Sequence, residues 1–190
     1  LTGKIINGNS ATQPREFDGL RARIAGYQLL PALSTATSSN SPLSLEALDA
    51  AIDHVDNPTH LVMSKEMRRK LTVAARNYQV GGFIEYTVDE FGKRVTMYND
   101  LPILIADYDD TGTKIVDFNE AGPAGGSTST SVYVLSVGAG MLTGLQNGVM
   151  EVADLGELQT KPVFRTRVEW LVGMAAMHGR CASRVWGITT

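Results

Sequence analysis

The chain has 190 residues, 43% of them hydrophobic and 19% charged, a globular composition that excludes intrinsic disorder and allows one domain with a real core, or one domain and part of another. A formal net charge of -3 and a pI near 5.6 give no general attraction to nucleic acid or to an anionic membrane. The single cysteine, Cys181, excludes an internal disulfide and a cysteine metal cluster, and no apolar run approaches the roughly 20 residues of a membrane span. The chain opens on Leu1 rather than a methionine and carries no signal-peptide pattern, so it is expected to be a processed or trimmed piece of a longer protein.

Residues 1–14 are polar and turn-rich, with Asn7-Gly8 as a turn signal. Phe17, Leu20 and Ile24 fall at helical spacing and predict a short amphipathic helix that ends near Gly26. Residues 34–41 are almost all Ser, Thr, Ala and Asn, the composition of a surface loop. A helix follows, with Ser44 as N-cap, Glu46 in its first turn, and Leu45, Leu48, Ile52 and Val55 on one face; Asn57-Pro58 ends it. Residues 60–63 read as a short apolar strand. Ser64 then caps a helix that turns Met67, Leu71, Ala74, Ala75 and Tyr78 inward and Lys65, Arg68, Arg69, Lys70 and Arg76 outward. That basic face lacks interleaved aromatics, so a solvated helix surface explains it better than a nucleic-acid site.

After Gly81-Gly82 the pattern turns to strands. Residues 84–88 and 94–98 flank a turn ending in Gly92, which predicts a hairpin. Residues 101–106 form an apolar run, 107–113 an acidic turn, and 115–118 a short strand. Residues 121–130 are Gly, Ser and Thr, too polar and flexible to pack. Residues 131–137 read as a buried strand, and 149–152 as another after the Asn147-Gly148 turn. From 163 to 172 the side chains alternate. Phe164, Val168, Trp170 and Val172 lie on one face with Thr166, and Arg165, Arg167 and Glu169 on the other. The apolar run continues through 171–177, and a strand around Trp186 spans 183–188. Early helices and late strands predict an α+β fold with an antiparallel or mixed sheet.

Three motifs invite chemistry. Asp107, Asp109 and Gly112 match positions one, three and six of a calcium-binding loop, but Phe118 stands where a bidentate Glu belongs and strands flank the segment, so a solvated turn accounts for the carboxylates. Gly138-Ala139-Gly140 follows a strand as a dinucleotide fingerprint would, yet Thr143 replaces the third glycine, and Gly144 and Asn147-Gly148 would break the helix that receives the pyrophosphate. His178 and Cys181 lie close together but lack a third partner, so a structural cysteine is the stronger reading. His54 and His60 make no ligand spacing. No catalytic, cofactor or metal residue is assigned, and these patterns reach only an α+β domain with no evident enzyme chemistry.

The ordered set of segments reaches further. Residues 5–9 (IINGN) with 16–20 (EFDGL), the helix–strand–helix set at 45–52, 60–64 and 67–71, residues 98–104 (YNDLPIL), and residues 145–148 and 154–158 followed by 161–170 (KPVFRTRVEW) together resemble the major capsid proteins of tailed bacteriophages. Their Hong Kong-97-type fold is shared with encapsulin compartments. The resemblance implies an axial domain over 17–139, a link from a spine helix over 1–16, and the strands of a peripheral domain over 140–190. It leaves open whether 183–190 returns to the axial domain. It implies a C-terminal fragment without the N-terminal arm, extended loop and most of the spine helix. The function it implies is a non-enzymatic coat protein of the virion. Its partners would be copies of itself in pentamers and hexamers, with scaffolding and portal proteins, and neither specific nucleic-acid binding nor a membrane. The Lys–Asn cross-link of some relatives is not implied, since 158–168 has no Asn. The alternatives are an encapsulin-like compartment shell and, from another class, a small nucleotide- or metal-dependent enzyme. The fragment alone is expected to be monomeric or weakly associated.

Overall fold

The computed structural model describes residues 1–33, 40–75, 84–88 and 94–189. The chain opens with helix α1 (Thr2–Asn7), the single-turn helix α2 (Leu20–Arg23) and a 3-10 turn (Gly26–Gln28) that leads into β1 (Leu29–Pro31). Helix α3 (Leu45–Asp53), β2 (His60–Met63) and helix α4 (Lys65–Ala75) follow. Then come β3 (Ile84–Val88), β4 (Arg94–Tyr98), β5 (Leu101–Ile105), β6 (Glu120–Gly122) and β7 (Gly125–Leu135). The last elements are β8 (Leu142–Gln146), β9 (Glu151–Leu158), β10 (Lys161–Glu169), β11 (Val172–Ala176) and β12 (Ala182–Ile188). The fold is α+β with a mixed sheet.

Among the described residues, the main sheet runs β1-β12-β7-β2-β5-β4-β3, with β6 also paired to β7. β12 is parallel to β1 and antiparallel to β7, so the last strand in sequence lies inside the sheet. β2 is antiparallel to β7 and parallel to β5. Period-2 alternation divides the apolar residues of these central strands between two faces. Leu61, Met63, Val132 and Val134 face α3 and α4, where Leu48, Ile52, Met67 and Leu71 cover them. Val62, Tyr133 and Leu135 face the other way, toward Ile6 of α1, Leu20 of α2, and Ile115 and Val116 of the connection between β5 and β6. Helices therefore cover one face fully, and short helices with a long loop cover the other. In β12 the register shifts between Val185 and Ile188, where Gly187 has φ +74; the extra residue puts both apolar side chains on the α3 face.

The two longer helices form for local reasons. Ser64 accepts a hydrogen bond from Met67 N through its side chain and caps α4. Ser44 precedes α3 in extended geometry but makes no side-chain cap bond. The other end of α3 is closed from a distance: Arg180 donates to Asp53 O at 2.8 Å and His54 O at 3.1 Å, satisfying carbonyls the helix leaves free.

Several local expectations differ from the structure. The polar opening is not all turn: α1 buries Ile6, and Gly8 packs so tightly that a Cβ there would meet Phe17 O at 2.4 Å. The helix expected from Phe17 onward is only the turn Leu20–Arg23. Residues 115–118 form no strand; Ile115 and Val116 instead pack as loop side chains into the second core cluster. Residues 121–130 stay largely exposed as expected, but Gly122, Ser129 and Thr130 are buried. Glu120–Gly122 and Gly125–Leu135 pair, and Ser129 and Thr130 are fully buried, because Ser129 Oγ donates to Glu120 O across the hairpin. Most of the loop expected at 34–41, the turn around Gly92, and the positions of Arg76 and Tyr78 lie outside the described residues.

Candidate functional site

The sequence motifs resolve into ordinary structure. Asp109 Oδ1 accepts hydrogen bonds from Thr111 N, Thr111 Oγ1 and Thr113 N at 2.7–2.9 Å. The Thr111 hydroxyl foremost, then the Thr113 amide, holds the Asp109 carboxyl below its usual range. Asp107 is paired with Lys65 at 2.5 Å. The two carboxylates thus serve a turn and an ion pair, and no group of three or more His, Cys, Asp or Glu converges among the described residues. Gly138 to Gly140 connect β7 to β8 as a turn; Met141 N donates to Gly138 O and no helix follows. Cys181 is buried, and burial raises its thiol pKa, which opposes the thiolate form. His178 Nδ1 accepts from Arg180 N at 3.2 Å and lies on the exposed loop before β12.

The basic face of α4 is partly committed to the protein itself. Lys65 pairs with Asp107, and Lys70 lies 5.2 Å from the centre of the Phe118 ring and 3.5 Å from Thr189 O. This spends charge that a nucleic-acid surface would leave free.

A buried charged cluster escaped the sequence reading. Glu120, 2% exposed, accepts a hydrogen bond from Arg184 NH2 at 2.7 Å and another from Ser131 Oγ; Arg184 Nε also donates to Ser131 Oγ. The Arg184 guanidinium lies over the rings of Tyr133 and Trp186 at 5.7 and 5.9 Å. Tyr133 Oη has no hydrogen-bond partner among the described residues, and burial, with Glu120 nearby, raises its pKa. A charge in the otherwise buried run of β12 was the available signal; its partner 64 residues away was not. The cluster ties β6, β7 and β12 together.

The feature that stands apart is the segment between β7 and β12. β8 pairs antiparallel with β11, and β9 with β10, so 142–176 form an extended two-stranded ribbon. Gly148 (φ +76) lies in a bend between β8 and β9, and Gly156 (φ +70) accompanies a register shift within β9–β10. The alternation expected along 163–172 holds only to Glu169, where β10 ends: Val168 pairs with Val152 on one face, and Arg167 and Glu169 share the other at 3.3 Å. Yet every residue of β10 is exposed. Phe164 is 75% exposed, Val168 58% and Trp170 42%. More than half of the exposed large hydrophobic side chains among the described residues fall in this segment and its flanks. Beside it, Leu1, Ile5 and Phe17 and the ribbon residues Leu145, Trp170 and Val172 line a mostly apolar groove of about 430 Å³.

No protein-family model matches the chain, and no curated protein matches it either.

Proposed function

We propose that this chain is a non-enzymatic shell subunit of the tailed-phage coat type, with the Hong Kong-97-type fold, that acts by assembling with copies of itself around a packaged genome in the virion. On this reading the main sheet with α3 and α4 is the axial part, and the ribbon of 142–176 belongs to the peripheral part. The observation that carries the reading is the ribbon, which leaves Phe164 and Val168 on β10, and Trp170 just after it, exposed to solvent. Burying one such side chain contributes about 1.5–3 kcal/mol, so several together supply a driving force for association that the isolated chain leaves unused. Head-to-tail contacts between such subunits close into rings, the pentamers and hexamers of a shell. The mildly acidic net charge supports the same reading, since a container that bound its nucleic acid tightly would impede packaging.

The test is assembly. The complete reading frame that encodes this chain is expressed and imaged by negative-stain electron microscopy, as wild type and with Phe164→Asp and Val168→Asp together. Closed shells from the wild type, lost in the variant at unchanged melting temperature, are the expected result. A discrete monomer from the complete frame, with a melting point raised several degrees by a nucleotide or divalent ion, would replace this function with an enzymatic one.

A further inference from the structure

The buried cluster of β6, β7 and β12 leaves three hydrogen-bonding groups without a bond to one another. Glu120 is 2% exposed, and the hydrogen bonds it accepts from Ser131 Oγ and Arg184 Nη2 both go to Oε2. Its Oε1 accepts none among the described residues, and Arg21 Nη1 of α2 stands 3.9 Å from it. At that distance two charges attract, but they are too far apart for a hydrogen bond. Tyr133 is fully buried, and its hydroxyl has no partner among the described residues. Ser131 and Tyr133, two residues apart on β7, share a face, and Tyr133 lies directly across from Arg184 on β12. Glu120, Arg184 and Arg21 all act electrostatically on the phenol, so its oxygen lies among them.

The charges around this point select its ligand. A cation would face Arg21 and Arg184, and an anion would face Glu120. A neutral molecule that both donates and accepts suits all three groups. Buried hydroxyls are rarely left unpaired, and polar groups more than about 3.5 Å apart are often bridged by water. A water about 2.8 Å from both Glu120 Oε1 and Arg21 Nη1 spans their separation at a bent angle. It donates to the carboxylate, accepts from the guanidinium and takes the tyrosine hydroxyl as its third partner; a buried water makes about three such bonds. We infer that a single ordered water bridges Glu120 Oε1, Arg21 Nη1 and Tyr133 Oη, and joins α2 to β6 and β7 through solvent rather than by direct contact. The inference is independent of the assembly reading. It gives the Tyr133 hydroxyl a role within a cluster that otherwise consists of apolar side chains such as Val62, Ile115 and Leu135.

A high-resolution crystal structure of the unaltered chain tests this directly. It is expected to show a water within hydrogen-bond distance of all three atoms. Tyr133 Oη bonded straight to Glu120 or Ser131, with no water at the site, overturns the inference. Tyr133→Phe tests it in solution through the sign of its effect. Removing a hydroxyl that nothing satisfies raises the melting temperature, because a buried polar group is gone. Removing one that the water holds lowers it, by roughly 2–4 °C for one ordinary hydrogen bond in a chain of this size. A melting temperature at or above that of the wild type therefore overturns the bridge. Arg21→Met, at a side chain 39% exposed, completes a double-mutant cycle. Two residues that share one water are coupled, so Tyr133→Phe is expected to lower the melting temperature less in the Arg21→Met background than in the wild type. Equal shifts in the two backgrounds mean that Arg21 and Tyr133 share nothing, and the inference falls.

Discussion

Replacing Arg184 with Met is the sharpest test of what holds the sheet together. Arg184 fills the space between Tyr133 and Trp186 and donates to Glu120, which is 2% exposed. Without it the Glu120 carboxylate keeps the Ser131 hydroxyl, and its nearest remaining cation is Arg21 at 3.9 Å, whose own side chain is 39% exposed. Breaking a buried pair from one side costs about 3–5 kcal/mol, because the remaining charge stays desolvated. For a chain of this length that lowers Tm by roughly 6–20 °C. Removing both charges, as Glu120→Leu with Arg184→Met, takes away the uncompensated charge, and the double variant is expected within about 2 kcal/mol of wild type. Equilibrium urea unfolding of the two single variants and the double one gives the coupling directly. If Arg184→Met costs under about 1 kcal/mol, or the double variant loses the sum of the singles, the argument that a desolvated charge dominates this site is wrong.

Three further outcomes follow from local geometry. Gly187→Ala places a side chain at φ +74 with its Cβ 2.4 Å from Pro123 Cδ, and is expected to cost at least about 2 kcal/mol in urea unfolding. Asp109 has a folded-state pKa below its unfolded value, so its stabilising contribution is present above the unfolded pKa and fades as pH falls through the folded one. Asp109→Asn should flatten the loss of thermal stability below about pH 4, compared by melting curves across that range. Asn147-Gly148 lies in an exposed bend, whereas at Asn7-Gly8 the Asn7 amide donates to Ile115 O and Gly8 N to Lys4 O. Peptide mapping after mild alkaline incubation should therefore find deamidation at Asn147 well before Asn7, and the opposite order would contradict the geometry.

What the sequence made legible was local. Leu48 and Ile52, Met67 and Leu71 recur at helical spacing on α3 and α4, and β2 is a short apolar run ended by the Ser64 cap; each signal sits within a few residues of what it specifies. The misses depend on distant partners. Ser129 and Thr130 look too polar to pack, and are buried because β6 and Glu120 meet them across a turn. Ile115 and Val116 supply an apolar signal but no strand, since their role is to plug the second core rather than to pair. The ribbon shows the opposite limit. Its alternation was legible at Val168 and Arg167, but alternation says only which residues share a face. Whether that face is covered depends on which element lies over it, and Phe164, 75% exposed, has none over it among the described residues.

The position of β12 has a consequence for biosynthesis. β1 and β7 leave the ribosome before the strand that lies between them, so the nascent polypeptide holds an open seam in its sheet while 142–181 are still being made. During that interval Val132 and Val134 lack one of their two neighbouring strands, and the whole ribbon is synthesised before that strand arrives. Closure must await the arrival of Val185 and Ile188, which makes it a non-local step that follows synthesis of the helices and of every other strand of the sheet.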